Sequence, residues 1–254
     1  MIELTIKDGV ATVLFNKPEK MNCFTTSDMH DLIKVIRELN SREDVFIVIF
    51  RGAGKMFCSG FDITDFIPSI EKMDPFYEIF PAALFAIRNL QCSTLAALHG
   101  SAFGFGCGLA MSCDFRVAVK GTSMAIPTVR LGFTYPPNEV LSLTHKMGLP
   151  IMKDMLLAGR HLESERAYQL GIINQLVEST EEMEKEINRY IADIKKGAPL
   201  AMRLGKRSMH HLIRELVPRE DESYQIYYQL FQGEDFYEGI NSFIEKRQPH
   251  YKGM

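Results

Sequence analysis

The sequence predicts an α/β fold with a helical C-terminal region. The 254 residues are 46% hydrophobic and 24% charged, a composition typical of a soluble globular protein. Short apolar strands alternate with helical patterns as far as Val177, and only helical patterns follow from Glu178 to Lys246. Alternating strands and helices indicate an α/β core, to which the last part of the chain adds helices.

The N-terminal elements have the clearest patterns. Residues 2–6 and 10–15 are separated by an Asp-Gly pair, which predicts a two-stranded hairpin. Apolar residues recur at every third or fourth position from Thr25 to Leu39, so this segment is predicted to be a helix. Thr26 or Ser27 is the predicted N-cap, because a hydroxyl side chain can accept a hydrogen bond from the first turn.

The remaining elements follow from short apolar runs and from glycine or proline at their ends. Predicted strands cover residues 46–50, 95–98, 115–119, 122–125 and 172–177, and predicted helices cover residues 105–112, 138–146 and 163–170.

Composition argues against several classes of protein. A formal net charge of −3 gives no overall basic field for nucleic acid or an anionic membrane. The five cysteines include no C-x-x-C pair, which favours reduced thiols in a cytoplasmic protein, and no cluster has the spacing of a metal site. Residues 89–113 carry no Asp, Glu, Lys or Arg but contain four glycines. That mixture predicts a strand, a glycine turn and a buried helix better than a membrane span.

Two glycine-containing segments are candidate functional loops. In residues 57–63 and 97–110 a strand meets glycines and then the start of a helix. Such junctions leave backbone N–H groups without partners, and glycine lets a ligand approach them closely. Leu109 occupies the place of the last glycine of a dinucleotide fingerprint, so that motif is absent. From these residues alone, tight turns required only for packing remain an equal alternative.

Five segments, in order and correctly spaced, resemble the crotonase (enoyl-CoA hydratase/isomerase) superfamily. They are FNKPEKMN at 15–22, SGFDI at 59–63, the strand, glycine loop and helix at 97–114, GIIN at 171–174, and GINSFIEKRQP at 239–249. The resemblance implies a spiral of ββα repeats at residues 1–195 and a helical trimerisation region at 196–254. It also implies a homotrimer or a dimer of trimers, and an acyl-CoA substrate in which coenzyme A is part of the substrate rather than a separate cofactor.

The resemblance also assigns site residues. The backbone N–H groups of Phe61 and Phe105 would form an oxyanion hole for the thioester oxygen. Phe105 stands where the family usually has the middle glycine of three, which a backbone donor tolerates. The implied coenzyme A contacts are Ser59, Phe61 and Ile63 at the adenine and Lys17, Lys20 and Lys246 at the phosphates. For the lysines, ordinary solvated charge is an equal alternative.

The acids of the family are missing from their usual positions. The two hydratase glutamates align with Gly108 and Thr128, and a third acidic position, used by many isomerases, aligns with Pro136. Glu139 follows three residues later. It either enters the pocket as an acid or is a first-turn carboxylate facing the helix dipole. Hydration needs one group to activate water and another to deliver a proton, so ordinary hydration is not expected.

Decarboxylation makes fewer demands, because loss of CO₂ generates an enolate without removal of a proton. The segment LGFTY at 131–135 resembles the L-G-x-P-Y segment of the methylmalonyl-CoA decarboxylases in this superfamily. That likeness assigns Tyr135 as a carboxylate-orienting or proton-relaying group. Phe61 departs from the pattern, because those enzymes have a histidine there. The leading hypothesis is therefore decarboxylation or double-bond isomerisation. The alternatives are an acyl-CoA-binding protein without catalysis and a thioester hydrolase.

Four other polar residues near these loops have predicted roles. His99 is expected to bond the turn backbone, and Asp62 to cap the helical turn after it. Asp65 and Glu78 flank a segment at 67–80 that is expected to cover the acyl group, and either could supply an acid.

Overall fold

The computed structural model describes residues 1–65, 76–211, 228 and 231–251. Most of the predicted cover segment at 67–80 lies outside these residues, and only its end, from Phe76, is described as helix. The described strands form two sheets, one of six strands and one of three. No helix in the described residues is both long and apolar enough to cross a membrane.

The N-terminal hairpin forms as predicted. Strands β1 (Ile2–Lys7) and β2 (Val10–Phe15) pair antiparallel, and Asp8 and Gly9 between them have φ of 51° and 79°. Positive φ at both loop residues is the backbone that a two-residue hairpin requires. The next element is helix α1 (Thr26–Asn40).

The predicted N-cap of α1 was wrong by one or two residues. Thr25 caps the helix, because its hydroxyl accepts from the Asp28 N–H while the Asp28 carboxylate accepts from the Thr25 N–H. This reciprocal pair is a capping box, and it places the cap one residue before the nearer candidate, Thr26.

The large sheet has the order β1-β2-β3-β4-β6-β9, and all pairs after the first hairpin are parallel. Its other strands are β3 (Ile47–Gly52), β4 (Ser93–Leu98), β6 (Phe115–Val119) and β9 (Gln175–Val177). One face packs on the late helix α7 (Thr180–Lys195) through Met183 and Ile187. The central strands β3 and β4 are buried along most of their length, as expected of parallel strands whose two faces are both covered.

The small sheet carries the candidate loops. It consists of β5 (Ala102–Phe103), β7 (Ser123–Ala125) and β8 (Leu162–Glu163). Isolated bridges from Cys58 to Ala102 and from Phe61 to Phe24 extend this layer. The two layers confirm the predicted α/β architecture, with both glycine loops in the second layer.

Helices α3 (Phe105–Ser112), α4 (Pro137–Met147) and α6 (Ser164–Gln169) agree with the predicted helices to within one residue at each end. Helices α2 (Phe76–Arg88) and α5 (Leu149–Leu156) were not predicted. Helices α8 (Pro199–His211) and α9 (Glu234–Glu245) lie in the C-terminal region that was predicted to be helical. The described part of the chain after Val177 contains only helices. The boundary at residue 195 stays a prediction, although α7 ends there.

The predicted strand at 172–177 forms only at its C-terminal half. The N–H groups of Ile172 and Ile173 both donate to the Ala167 carbonyl, at 2.9 and 3.2 Å. Those donors therefore close the end of helix α6, so they cannot join a sheet, and the strand begins at Gln175.

Candidate active site

The two glycine loops meet at Gly60 and Gly104. Their φ values are 112° and 49°, a backbone region that residues with a Cβ rarely adopt. A Cβ at Gly60 would lie 3.1 Å from the Phe103 oxygen and 3.6 Å from the Phe105 nitrogen. The two glycines therefore let the candidate oxyanion loops approach each other at backbone distance.

The peptide that precedes each proposed donor is held by its carbonyl. The Gly60 oxygen accepts from the Phe24 N–H at 2.9 Å, and the Gly104 oxygen accepts from the Gly108 N–H at 3.1 Å. In a planar trans peptide the N–H points away from the carbonyl. Anchoring these two carbonyls consequently fixes the directions of the N–H groups of Phe61 and Phe105.

Phe105 is the first residue of α3. The first N–H groups of a helix have no acceptor inside it, and they carry the positive end of the helix dipole. The Phe105 N–H is therefore suited to a negatively charged oxygen. Its phenyl ring is 1% exposed and packs on Phe24 and Phe80, with ring centroids 5.0 and 5.3 Å away.

Tyr135 lies against the same loop. Its hydroxyl donates to the Gly104 carbonyl, which belongs to the same peptide as the Phe105 N–H. A Cβ at Gly108 would lie 3.1 Å from this hydroxyl. The tyrosine thus takes space next to the position that the resemblance aligns with the first hydratase glutamate, and a larger residue at 108 would have to displace it.

The Tyr135 hydroxyl stays protonated. Complete burial raises its pKa well above the ordinary value, and the neighbouring Cys107 and Glu139 raise it further. The ring stands edge-on to Phe80, with centroids 5.1 Å apart. A neutral hydroxyl held this way donates a hydrogen bond but is a weak acid.

Glu139 is engaged elsewhere. Its side chain is 2% exposed, and both carboxylate oxygens accept from the Arg88 guanidinium, at 2.6 and 2.7 Å. Removing one member of a buried pair leaves a costly unpaired charge. The catalytic role predicted for Glu139 therefore finds no support in this geometry. The interpretation as a simple first-turn carboxylate overlooked Arg88, which lies 51 residues away in the sequence.

The predicted adenine-contacting residues share one face of their segment. Ser59, Phe61 and Ile63 are half-buried, whereas the intervening Gly60 and Asp62 are buried. The Asp62 carboxylate accepts from the Thr64 N–H at 3.1 Å, as predicted for a cap. Burial raises its pKa, but hydrogen bonds from Thr64 and Lys20 outweigh this and leave the pKa at about 2.

The three lysines predicted to contact the phosphates have different surroundings. The ammonium of Lys20 lies 3.0 Å from Asp62, and that of Lys17 lies 3.6 Å from Asp28. Lys246 is exposed just after α9. Lys20 therefore contacts the 59–63 segment through Asp62, whereas the ion pair of Lys17 is with helix α1.

Most of the other polar residues near the loops have structural partners. His99 Nε2 lies 3.0 Å from the Gly54 oxygen, which confirms the predicted bond to a turn. Asp65 accepts from the Thr26 N–H at 2.9 Å, and Glu78 is exposed. Burial raises the pKa values of Cys58 and Cys107 to about 12, so both remain thiols.

Thr128 has a property that the sequence did not indicate, namely a buried hydroxyl without a hydrogen-bond partner in the described residues. It is 4% exposed, and its hydroxyl finds no partner in the described part of the chain. It lies three residues after Ala125, whose carbonyl accepts from the Gly104 N–H at 2.9 Å. A buried hydroxyl without a partner costs about 1–3 kcal/mol, so this atom is a candidate substrate contact. Only the alignment with the second glutamate singled out this position.

The fold and the two loops with candidate backbone N–H donors define a class of protein. Comparison with known proteins identifies that class. A family model described as enoyl-CoA hydratase/isomerase matches residues 5–254. The chain belongs to the enoyl-CoA hydratase/isomerase family, as its five segments predicted.

Relatives of known sequence and structure cover nearly the whole chain. The short-chain-enoyl-CoA hydratase of Clostridium acetobutylicum is 31% identical, over 95% of this chain and 94% of its own. Carnitinyl-CoA dehydratase of Proteus mirabilis is 29% identical, over 99% and 98%. The structure of methylmalonyl-CoA decarboxylase complexed with 2S-carboxypropyl-CoA has a TM-score of 0.90 at 26% identity, over 100% of this chain and 98% of that chain.

Proposed function

We propose that this protein binds an acyl-CoA and stabilises a thioester enolate between the N–H groups of Phe61 and Phe105, and that the enolate forms by decarboxylation of a malonyl-type thioester. The observation that carries the proposal is the Tyr135 hydroxyl, which lies beside Gly108 and holds the Gly104 carbonyl. The site therefore has an anchored oxyanion donor with a neutral hydroxyl next to it.

Decarboxylation uses these groups without a base. The bond from the α-carbon to the carboxylate breaks, its electron pair moves into the thioester carbonyl, and CO₂ leaves. The two N–H groups stabilise the resulting oxyanion, and each such donor is worth about 10²–10³ in rate. A proton supplied by solvent then adds to the α-carbon, in the place of the carboxylate that left.

Tyr135 suits a role in positioning the oxyanion loop better than a proton-donating one. Its single O–H already donates to the Gly104 carbonyl, and its raised pKa weakens it as an acid. Thr128 offers a second hydroxyl, with no partner in the described residues. Thr128 can therefore orient a substrate carboxylate out of the plane of the thioester, where the enolate needs the breaking bond.

Isomerisation is the weaker candidate, because a base must first remove a proton from the substrate. The acid nearest to Tyr135 along the described chain, Glu139, is bound by Arg88 through both oxygens. The likeness to methylmalonyl-CoA decarboxylase in complex with a carboxypropyl-CoA supports the same choice.

Turnover of defined thioesters tests the proposal. The protein is incubated with methylmalonyl-CoA, a 3-enoyl-CoA and crotonyl-CoA, and the products are separated by liquid chromatography and mass spectrometry. We expect propionyl-CoA from methylmalonyl-CoA. Hydration of crotonyl-CoA without decarboxylation would refute the proposal. Calorimetric binding without turnover would support the non-catalytic alternative, and release of free CoA would support the hydrolase.

The proposed enzyme is cytoplasmic and assembles as a trimer or a dimer of trimers through residues 196–254. In that region Leu200, Leu204, Phe243 and Ile244 are each more than half exposed, and apolar side chains in such positions are typical of an interface. Size-exclusion chromatography with light scattering measures the assembly. A monomer would contradict this part of the proposal.

A further inference from the structure

A cavity of about 550 Å³ lies at the opposite end of α3 from the candidate oxyanion hole. Helix α3 has eight residues, so its two ends are about 12 Å apart at 1.5 Å per residue. The volume falls in the range of small-molecule sites. Its lining includes Met111, Asp114, Arg116, Lys146, Ile172 and Met202.

The charged groups of this cavity do not balance. Among the described residues of the lining, Asp114 is the single carboxylate, and it accepts from Lys206 at 2.7 Å. Arg116 is 8% exposed and donates to the carbonyls of Ile172 and Cys113, at 2.6 and 2.8 Å. Lys146 donates to a backbone carbonyl as well. When Lys146 is protonated, three cations therefore face one carboxylate among the described lining residues, an excess of two positive charges.

The end of α3 offsets only part of this excess. Lys146 and Arg116 donate to carbonyls of Met111, Ala110 and Cys113, at the negative end of the helix dipole. That end is worth about half an elementary charge, which is less than the two unbalanced cations carry. A buried charge normally has a partner of opposite sign, so the cavity has the electrostatics of an anion site.

The pKa of Lys146 reflects the same excess of positive charge. Its pKa is lowered to about 7, first by burial and then by the positive charges of Arg116 and Arg88. Asp114 and the Cys113 thiol act in the opposite direction. Lys206 faces the same cavity and is neutralised by Asp114. At neutral pH the Lys146 amine is thus protonated in only part of the molecules, and an anion beside it would favour the protonated form.

We propose that this cavity is a second ligand site that binds an aliphatic carboxylate, with its anionic group at Lys146 and its chain against Met111, Ile172 and Met202. The apolar residues of the lining suit a hydrocarbon chain better than a bare inorganic anion. This site is separate from the proposed thioester site and does not depend on the proposed reaction.

Octanoate binding to the full-length protein tests the proposal by isothermal titration calorimetry. We expect one site per chain, no comparable binding of 1-octanol, and no competition from a saturating acyl-CoA. Absence of octanoate binding, equal binding of octanol, or displacement by the acyl-CoA would each overturn the proposal.

The pH dependence has a definite sign. Octanoate stays ionised from pH 6 to 8, whereas Lys146, with a pKa of about 7, loses its proton over this range. Binding should therefore weaken about tenfold from pH 6 to 8, because only the protonated fraction binds the carboxylate. Lys146→Met should remove both the binding and its pH dependence. An unchanged affinity in this variant would refute the assignment.

A second variant fills the cavity without removing a charge. Gly205 lines the cavity, and a Cβ there meets nothing within 4 Å. Leucine also favours a helix by about 0.8 kcal/mol over glycine, so Gly205→Leu should fold. We expect it to lose octanoate binding at least tenfold, with its assembly unchanged by size-exclusion chromatography. Ser208→Leu, on the same helix but outside the lining, is the matched control and should bind like the wild type.

Discussion

Replacing Tyr135 by phenylalanine tests how the oxyanion loop is held. The change removes the hydroxyl that donates to the Gly104 carbonyl and keeps the ring against Phe80. The peptide between Gly104 and Phe105 would then be anchored at its carbonyl by the Gly108 N–H, at 3.1 Å. The perturbation therefore loosens one oxyanion donor without removing it.

The expected fall in kcat for Tyr135→Phe lies between two limits. A lost hydrogen bond is worth about 0.5–1.5 kcal/mol, which corresponds to about 2–10-fold in rate. Complete loss of an oxyanion donor costs about 10²–10³. Because Gly108 still holds the peptide, we expect kcat to fall about 10–10²-fold, with thermal stability lowered by about 1 kcal/mol.

Steady-state decarboxylation of methylmalonyl-CoA measures the effect, with Tyr168→Phe, an exposed tyrosine on α6, as the matched control. The fall should be mainly in kcat, because the donor acts on the developing oxyanion rather than on bound coenzyme A. The wild-type rate should show no loss from tyrosine ionisation between pH 7 and 9, because burial raises the Tyr135 pKa. An unchanged kcat for Tyr135→Phe would refute the positioning role.

Three further predictions concern the surroundings of this tyrosine. Gly108→Glu should not create a hydratase but should lower stability by about 1–3 kcal/mol, since its Cβ would crowd the Tyr135 hydroxyl at 3.1 Å; thermal melting and crotonyl-CoA hydration check this, and efficient hydration would contradict it. Arg88→Met should cost about 3–5 kcal/mol in urea unfolding, because it leaves Glu139 buried and unpaired, and adding Glu139→Leu should recover most of the loss; no recovery would show that the charge is not the cause. Thr128→Val should leave the melting temperature equal or higher, because the hydroxyl has no partner among the described residues, while lowering kcat on methylmalonyl-CoA; an unchanged kcat would exclude Thr128 as a substrate contact.

Local patterns gave most of the secondary structure. Strands such as Phe115–Val119 and helices such as Phe105–Ser112 were predicted with the bounds that the structure has, because apolar periodicity and flanking glycine act over a few residues. Helices α2 and α5 were missed altogether. Two further errors occur at element ends, where one backbone donor has two possible partners. At Ile172 and Ile173 the helix end took the donors, and at Thr25 the cap depended on a side chain three residues away.

The sequence by itself determined the glycine loops before Phe61 and Phe105, because glycine at positive φ and an unsatisfied helix start are properties of a few consecutive residues. The strand predicted before Phe61 is present only as isolated bridges at Cys58 and Phe61. Only the tertiary structure decided what surrounds these loops. The bond from Tyr135 to Gly104 spans 31 residues, and the pair of Arg88 and Glu139 spans 51. Their partners come from separate elements that meet only when the helices pack on the sheets. No local pattern indicates these contacts, and that is why the sequence offered Glu139 as a pocket acid or a first-turn carboxylate but did not indicate its ion pair with Arg88.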